Sequence, residues 1–362
     1  MPMKDEQLHV FEQLVAIAKD EDVDCIVIAG DVFDRSIPSR EALELCERLF
    51  LDLCALEVPV FVIPGNHDSP QQLSFCSGLL QSSGLHIAKA YHGRVEFFDL
   101  AKEETRLRVH LLPFVRPTDV RMAHPEVADQ IITHNDAIRV ALSQDEILDG
   151  TCNLLVAHQF VVSGNAHPET CESEIISLGG TDSVDAELFD AYDYVALGHL
   201  HGPQHVHRKT IRYSGSPLKY SFSEIHHEKS ATILEIEKTD VKISTRKLHP
   251  LHEMREITAS YDELVQGIDT DDALDYMRVR LMDASLPDAM AKLRKIFPNI
   301  LRLDWEAASG LSHSSPEHSE RNRKSSPVDL FAAFYESQTG NALTDDERDI
   351  VELCLEDLEG RR

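Results

Sequence analysis

Four short clusters of Asp, Asn and His stand out in this sequence: Gly30-Asp31-Val32-Phe33-Asp34-Arg35, Gly65-Asn66-His67-Asp68, His158-Gln159 and Gly198-His199-Leu200-His201-Gly202. Cleaving a phosphodiester needs a nucleophile near neutral pH and neutralised charge on the phosphoryl oxygens. Two divalent cations about 3.5–4 Å apart supply both. One carboxylate can bridge such a pair, and Asp31 is the natural bridge. Imidazole and amide oxygen then complete shells that suit Mn or Fe better than Ca. The i, i+2 spacing of His199 and His201 aims both rings the same way on an extended chain, or splits them between two ions at a loop exit. Taken singly, each cluster has a plainer meaning. Gly-Asp after a strand is often a turn, Asn-His-Asp is a common loop sequence, and a lone His158 reads as a hydrogen-bonded surface histidine. All four in this order, each at the exit of an apolar run, point to one site.

The elements that must position them follow from hydrophobic period. Leu8, Phe11, Leu14, Val15 and Ala18 lie at helical spacing, and Leu43, Cys46, Phe50 and Leu53 give a second helix one apolar face. Between and after them, Cys25–Ala29 and Val58–Ile63 are continuous apolar strands ending in Gly30 and in Pro64-Gly65. This alternation is that of a layered α/β sheet. Further strands are expected at Val95–Leu100, Val109–Pro113, Leu154–Ala157, Tyr194–Leu197, Ile211–Ser214 and Thr232–Ile236. From Arg255 to Trp305 a strand–helix–strand–helix–strand pattern predicts a small α/β unit. Residues 308–327 are rich in Ser, Pro and charge and predict a flexible linker. Beyond it, Val328, Phe331, Phe334 and Tyr335 form an aromatic stripe. Thr344-Asp345-Asp346-Glu347 is a capping box, followed by Ile350, Val351, Cys354, Leu355 and Leu358 on one face. Two such short helices must dock on something, either the parent domain or a partner chain.

Composition bounds the rest. With 362 residues, 42% of them hydrophobic, the chain predicts two domains rather than one. No apolar run approaches the roughly 20 residues of a membrane helix, and the polar start carries no signal region, so a cytoplasmic protein is expected. Seven cysteines without a C-x-x-C pair read as reduced core thiols. A net charge of −28 argues against recognition of nucleic acid by mean field. A DNA substrate would need local basic patches, metal ions or a partner; a small acidic-enzyme substrate is the simpler inference from charge alone.

The order GD-x-x-D, GNHD, H, GH-x-H resembles the calcineurin-like metallophosphoesterases. The flanking text is similar to one branch of them, the SbcD family of DNA nuclease subunits. It comprises Ala29–Asp34, Pro64–Ser69, Leu112-Pro113-Phe114, Ala157–Phe160, Tyr194–His199, Tyr213-Ser214-Gly215-Ser216-Pro217 and Asp329–Tyr335. The resemblance implies an α/β layered sandwich of the calcineurin-like type over residues 1–250, a small α/β capping domain over 251–307 that helps position DNA, a linker over 308–327, and C-terminal helices over 328–362. It implies two divalent ions, Mn by preference, with Asp31 bridging, Asn66, His158 and His199 on one ion and His201 on the other. His67 would be the general acid on the leaving 3′ oxygen, with Asp34 orienting its ring, and Ser216, Pro217 and Lys219 would lie near the metal rim. The activity implied is exonuclease and endonuclease hydrolysis at double-stranded DNA ends and hairpins, in repair, replication and recombination. The tail would bind the coiled-coil base of an SbcC-type ATPase, in a heterotetramer of two SbcD-type and two SbcC-type chains. No G-x-x-x-x-G-K-[ST] loop occurs in this chain, in keeping with ATP use by the partner.

The family pattern opens with a strand ending in Asp-x-His, which supplies further ligands of the second ion. This chain has no such motif, and its only early histidine is His9, inside the first helix. One expectation is a misplaced start on a normal enzyme; the other is a short form that scaffolds its partner and cleaves weakly. A phosphodiesterase for a small substrate and a non-catalytic binding subunit are the alternatives from other classes.

Overall fold

The computed structural model describes residues 3–164, 166–174, 182–267, 272–283 and 285–306, and single positions 328, 331, 332, 335, 342, 344, 347, 348 and 351 beyond them. The expected linker and most of the expected tail helices lie outside the described residues. Within the tail, the capping box is made: Thr344 N donates to Glu347 Oε2 at 2.9 Å and Glu347 N to Thr344 Oγ1 at 3.4 Å.

Helix α1 (Lys4–Asp20) leads into strand β1 (Ile26–Ala29). Helix α2 (Arg40–Cys54) starts where the Ser39 hydroxyl accepts from Ala42 N at 3.1 Å, satisfying one orphan donor of the first turn. It leads into β2 (Val60–Ile63), which is buried throughout, and then β3 (Leu85–Ile87). These three strands form a parallel sheet in sequence order. Among the described residues β1 is an edge of that sheet, and all four of its residues are only partly buried.

The second sheet has six strands. They are β4 (Glu96–Lys102), β5 (Thr105–Leu112), β6 (Cys152–His158), β9 (Tyr194–Gly198), β10 (Gln204–His205) and β11 (Ile211–Tyr213), in the order β10-β11-β9-β6-β5-β4. A short parallel pair, β7 (Phe160–Val162) and β8 (Ser183–Asp185), stands apart from it. The sheets pack face to face through Phe61, Ile63, Val109, Leu111, Leu154, Val156 and Tyr194. On the outer face of the small sheet, Val60, Val62, Leu85 and Ile87 pack with Leu53, Leu49 and Phe50 of α2 and Val15 of α1. On the outer face of the large sheet, Ile138 and Ala141 of the helix His134–Leu142 pack over Leu155, Val195 and Leu197. The layering is therefore α/β/β/α, as a layered α/β sandwich requires. The hairpin β12 (Ser230–Glu237) and β13 (Asp240–Lys247) adds Leu234, Val241 and Ile243 to the inter-sheet core.

A smaller unit follows. Strands β14 (Met254–Ala259), β15 (Tyr276–Leu281) and β16 (Ile300–Trp305) are parallel in sequence order, with helices Tyr261–Gln266 and Ala289–Leu293 in the two connections. Its own core contains Leu264, Val279, Leu281, Leu293 and Phe297.

Register places the chemistry. Ala29 pairs with Ile63, and His158 pairs with Gly198, so two adjacent strand exits on each sheet open at one end of the sandwich. Sites on such sheets lie outside the carboxyl ends of the strands.

Candidate metal centre

Asp31, His158 and His199 gather at these exits, with one ligand atom from each within 4.8 Å of the others. Asn66 joins them: its Oδ1 lies 3.0 Å from His158 Nε2 and 3.0 Å from His199 Nδ1. The His158 ring is fully buried and its Nδ1–H donates to Ala29 O at 2.7 Å, since a carbonyl can only accept. In the neutral ring that leaves Nε2 as a lone pair, facing Asn66 Oδ1 and, at 3.1 Å, Asp31 Oδ2. A nitrogen lone pair and two oxygens aimed at one another need a positive charge between them. A divalent cation fits that donor set.

The electrostatics agree. Burial pushes the Asp31 carboxyl up, yet the His158 ring and the hydrogen bond from His67 N (3.0 Å) bring it below its ordinary value. Burial pushes His158 down, and the carboxylate of Asp31 more than reverses this, so the ring holds positive charge more readily than a free imidazole. Burial and the neighbouring His158 push His199 down to about 4, so it is neutral and free to ligate near pH 7.

Close backbone approach makes the cluster possible. A Cβ on Gly65 would overlap Asp31 Oδ1 and approach its backbone N, and one on Gly198 would overlap Ala29 O. Asp31 itself sits at φ +50°, which turns the chain sharply out of β1. Asp68, part of the sequence motif but without a predicted role, proves structural. It is buried, and its carboxylate accepts from Val32 N (3.1 Å), Phe33 N (2.9 Å) and Gly65 N (2.8 Å), tying the exit loop of β1 to that of β2. Its position one residue after His67 is the only signal the sequence carries. Tyr213 is a second such residue. Its buried hydroxyl donates to Gln159 O and accepts from Val161 N, both at 2.8 Å, which pins the turn after His158.

The remaining candidate residues fall beside the cluster. The His67 Nδ1–H donates to the Asp34 main-chain carbonyl at 2.9 Å, while the Asp34 carboxylate turns to Arg35 at 2.6 Å. Asp34 thus meets the ring through its main-chain carbonyl, while the adjacent guanidinium takes its carboxylate. His201 is not grouped with Asp31. Its Nδ1 lies 2.9 Å from Ser173 Oγ and 3.5 Å from Glu224 Oε1. A second trio with ligand atoms within 4.8 Å is Cys171, Glu174 and His201. There the Glu174 oxygens already accept from Cys171 N (2.8 Å) and His201 N (2.5 Å). Ser216 accepts from Lys229 Nζ at 2.8 Å, and Lys219 pairs with Glu253 at 2.6 Å.

Residues 4–203 match the calcineurin-like phosphoesterase family, and residues 250–339 match the family described as the type 5 capsule protein repressor C-terminal domain. The chain is 31% identical over 359 residues to the D subunit of nuclease SbcCD from Staphylococcus epidermidis, covering 97% of this chain and 92% of that protein. It is 30% identical over 362 residues to the D subunit of nuclease SbcCD from Staphylococcus saprophyticus, with the same coverage of 97% and 92%. Among solved structures it is similar to TT1561 of Thermus thermophilus, at 13% identity and a TM-score of 0.36, over 67% of this chain and 95% of that one. The described residues include no helix long and apolar enough to cross a membrane. The chain belongs to the calcineurin-like phosphoesterases and, within them, to the SbcD nucleases, enzymes that hydrolyse phosphodiesters with divalent metal ions.

Proposed function

We propose that this chain is the nuclease subunit of an SbcC–SbcD-type complex, hydrolysing phosphodiester bonds at double-stranded DNA ends and hairpins. The supporting observation is the convergence of Asp31, Asn66, His158 and His199 at adjacent strand exits. Two divalent ions, Mn by the family resemblance and within the Mn-or-Fe preference of the donor set, would supply charge neutralisation and a nucleophile near neutral pH. Asp31 would be shared between the two ions, Asn66, His158 and His199 would hold one, and His201 would belong to the other. His67, its ring fixed by the Asp34 carbonyl, gives its proton to the leaving 3′ oxygen. Residues 251–307 position DNA, and residues 328–362 follow the linker as the docking segment for the partner ATPase. An acidic chain gains from such a partner, because its own mean field repels DNA.

Two measurements test this. Elemental analysis of the purified chain with Mn is expected to give close to two ions per chain, and Asp31→Asn to lower both the count and cleavage of duplex ends. Deleting residues 328–362 is expected to abolish co-purification with an SbcC-type ATPase. A deletion that leaves partner binding intact, or an Asp31→Asn variant that cleaves normally, overturns the reading.

A further inference from the structure

Beside the metal cluster lies a buried ion pair with no part in the chemistry proposed for the centre. Glu224 is fully buried and Lys229 is 5% exposed, and their charged atoms are 2.7 Å apart. Both partners are turned toward His201. Lys229 Nζ donates to the His201 carbonyl at 2.8 Å and to Ser216 Oγ at 2.8 Å. Glu224 Oε1 accepts from Ser173 Oγ at 2.7 Å, from Ser221 Oγ at 3.1 Å and from Tyr220 N at 3.2 Å. Glu174 accepts from His201 N, and Ser216 N donates to the His201 carbonyl at 3.1 Å. Main chain and ring are thus fixed from several sides.

The hydrogen-bond directions settle the ring. A serine hydroxyl has one proton. Ser173 spends it on the Glu224 carboxylate, which has none to give while it is paired with Lys229. At 2.9 Å from His201 Nδ1, the Ser173 oxygen can therefore only accept. The proton of the neutral imidazole must sit on Nδ1, and Nε2 is left as the lone pair. His158 reaches the same state by another route, through Ala29 O. A histidine that ligates a metal commonly has its other nitrogen held in this way by a carboxylate or a carbonyl.

We propose that Ser173, Glu224 and Lys229 form a positioning relay that holds His201 as the Nδ1–H tautomer, so that Nε2 is its ligand atom. This rests on the reading of His201 as a metal ligand, and the experiment separates the two. The full-length, metal-free protein is examined at pH 8 by long-range 1H–15N correlation of its imidazoles. The His201 resonances are assigned by their loss in His201→Asn. Mn2+ affinity is followed in parallel by electron paramagnetic resonance. The wild type is expected to show His201 as a single Nδ1–H tautomer. Ser173→Ala, which leaves the Glu224–Lys229 pair in place, is expected to show a mixture of tautomers and an affinity for the weaker Mn2+ lowered roughly 10-fold or more. Glu224→Gln is expected to do the same; if it does not fold, Ser173→Ala decides alone. An Nε2–H tautomer in the wild type, or an unchanged tautomer in Ser173→Ala, overturns the relay. A His201→Asn variant that binds Mn2+ with unchanged count and affinity overturns instead the assignment of His201 as a ligand.

Discussion

At Asp31 the available space is set by a neighbour with no side chain. The Asp31 carboxylate rests against Gly65, where any Cβ would overlap it. Gly65→Ala must therefore displace the residue expected to bridge the ions. A misplacement of about 1 Å at a catalytic group costs on the order of 100-fold in rate, and that loss is expected in Mn-dependent cleavage of duplex ends, with the fold retained by circular dichroism. The histidines give a pH prediction. His158 has its pKa raised by Asp31 against the effect of burial, so in the metal-free protein it takes up a proton before a free imidazole would as pH falls. A cation must displace that proton, and affinity therefore rises with pH. His199, pushed down to about 4, adds no such competition near neutrality. Mn2+ affinity is expected to climb between about pH 6 and pH 8 by up to roughly tenfold per unit, one proton being released per ion. An affinity flat across that range contradicts the assignment of His158 as a ligand.

The strands that deliver these residues are the most legible part of the sequence, for a physical reason. β1, β2, β6 and β9 are short runs of apolar residues, buried or flanked by core on both faces, and each stops at a polar residue or glycine where a loop must begin. Other strands carry no such signal. β3, β7, β8 and β10 have two or three residues each, too few to show a period, and β13 (Asp-Val-Lys-Ile-Ser-Thr-Arg-Lys) alternates with a polar face open to solvent. The contacts between exits are also hidden. Nothing in the sequence says that Asp68 accepts three backbone N–H groups from two loops 35 residues apart, because that depends on the parallel pairing of β1 with β2. The sequence also does not show that the buried Glu224–Lys229 pair packs against His201, because both residues lie more than twenty positions downstream. Asp68→Ala would strand those three donors, at roughly 1–3 kcal/mol for each one left without water. A loss of about 3 kcal/mol in urea unfolding of the metal-free protein is expected, with Asp68→Asn, which keeps one acceptor oxygen, losing less. A loss below about 1 kcal/mol in Asp68→Ala would mean the loops are held by something else.

For the molecule as a whole, the question is how the sandwich and the smaller parallel unit move together. Helix α1 packs on both sides of the join. Val10 sits in a small core with Leu218 and Leu248, supported by Leu14 and Ile17. One turn earlier, Glu6 is 2% exposed and reaches across to the chain entering β14: its Oε2 accepts from Leu251 N at 2.9 Å, and its Oε1 lies 2.7 Å from His252 Nδ1 and 3.4 Å from Tyr276 Oη. A buried carboxylate with this set of donors fixes direction as well as distance, so α1 sets the pose of β14 and β15 against the sandwich. The proposed metal ligands lie on other elements, the exits of β1, β2, β6 and β9. Glu6→Ala should therefore loosen the join and spare the centre. Hydrogen exchange at Leu251, His252 and the first amides of β14 is expected to accelerate, with stability falling by about 2–3 kcal/mol, while the Mn2+ count and affinity stay at the wild-type values. If the small unit positions DNA, the same variant raises the KM for duplex ends more than it lowers kcat, since uniform binding is lost and the reacting groups are untouched. A fall in kcat with KM unchanged would place the role of α1 at the metal centre and not at the join.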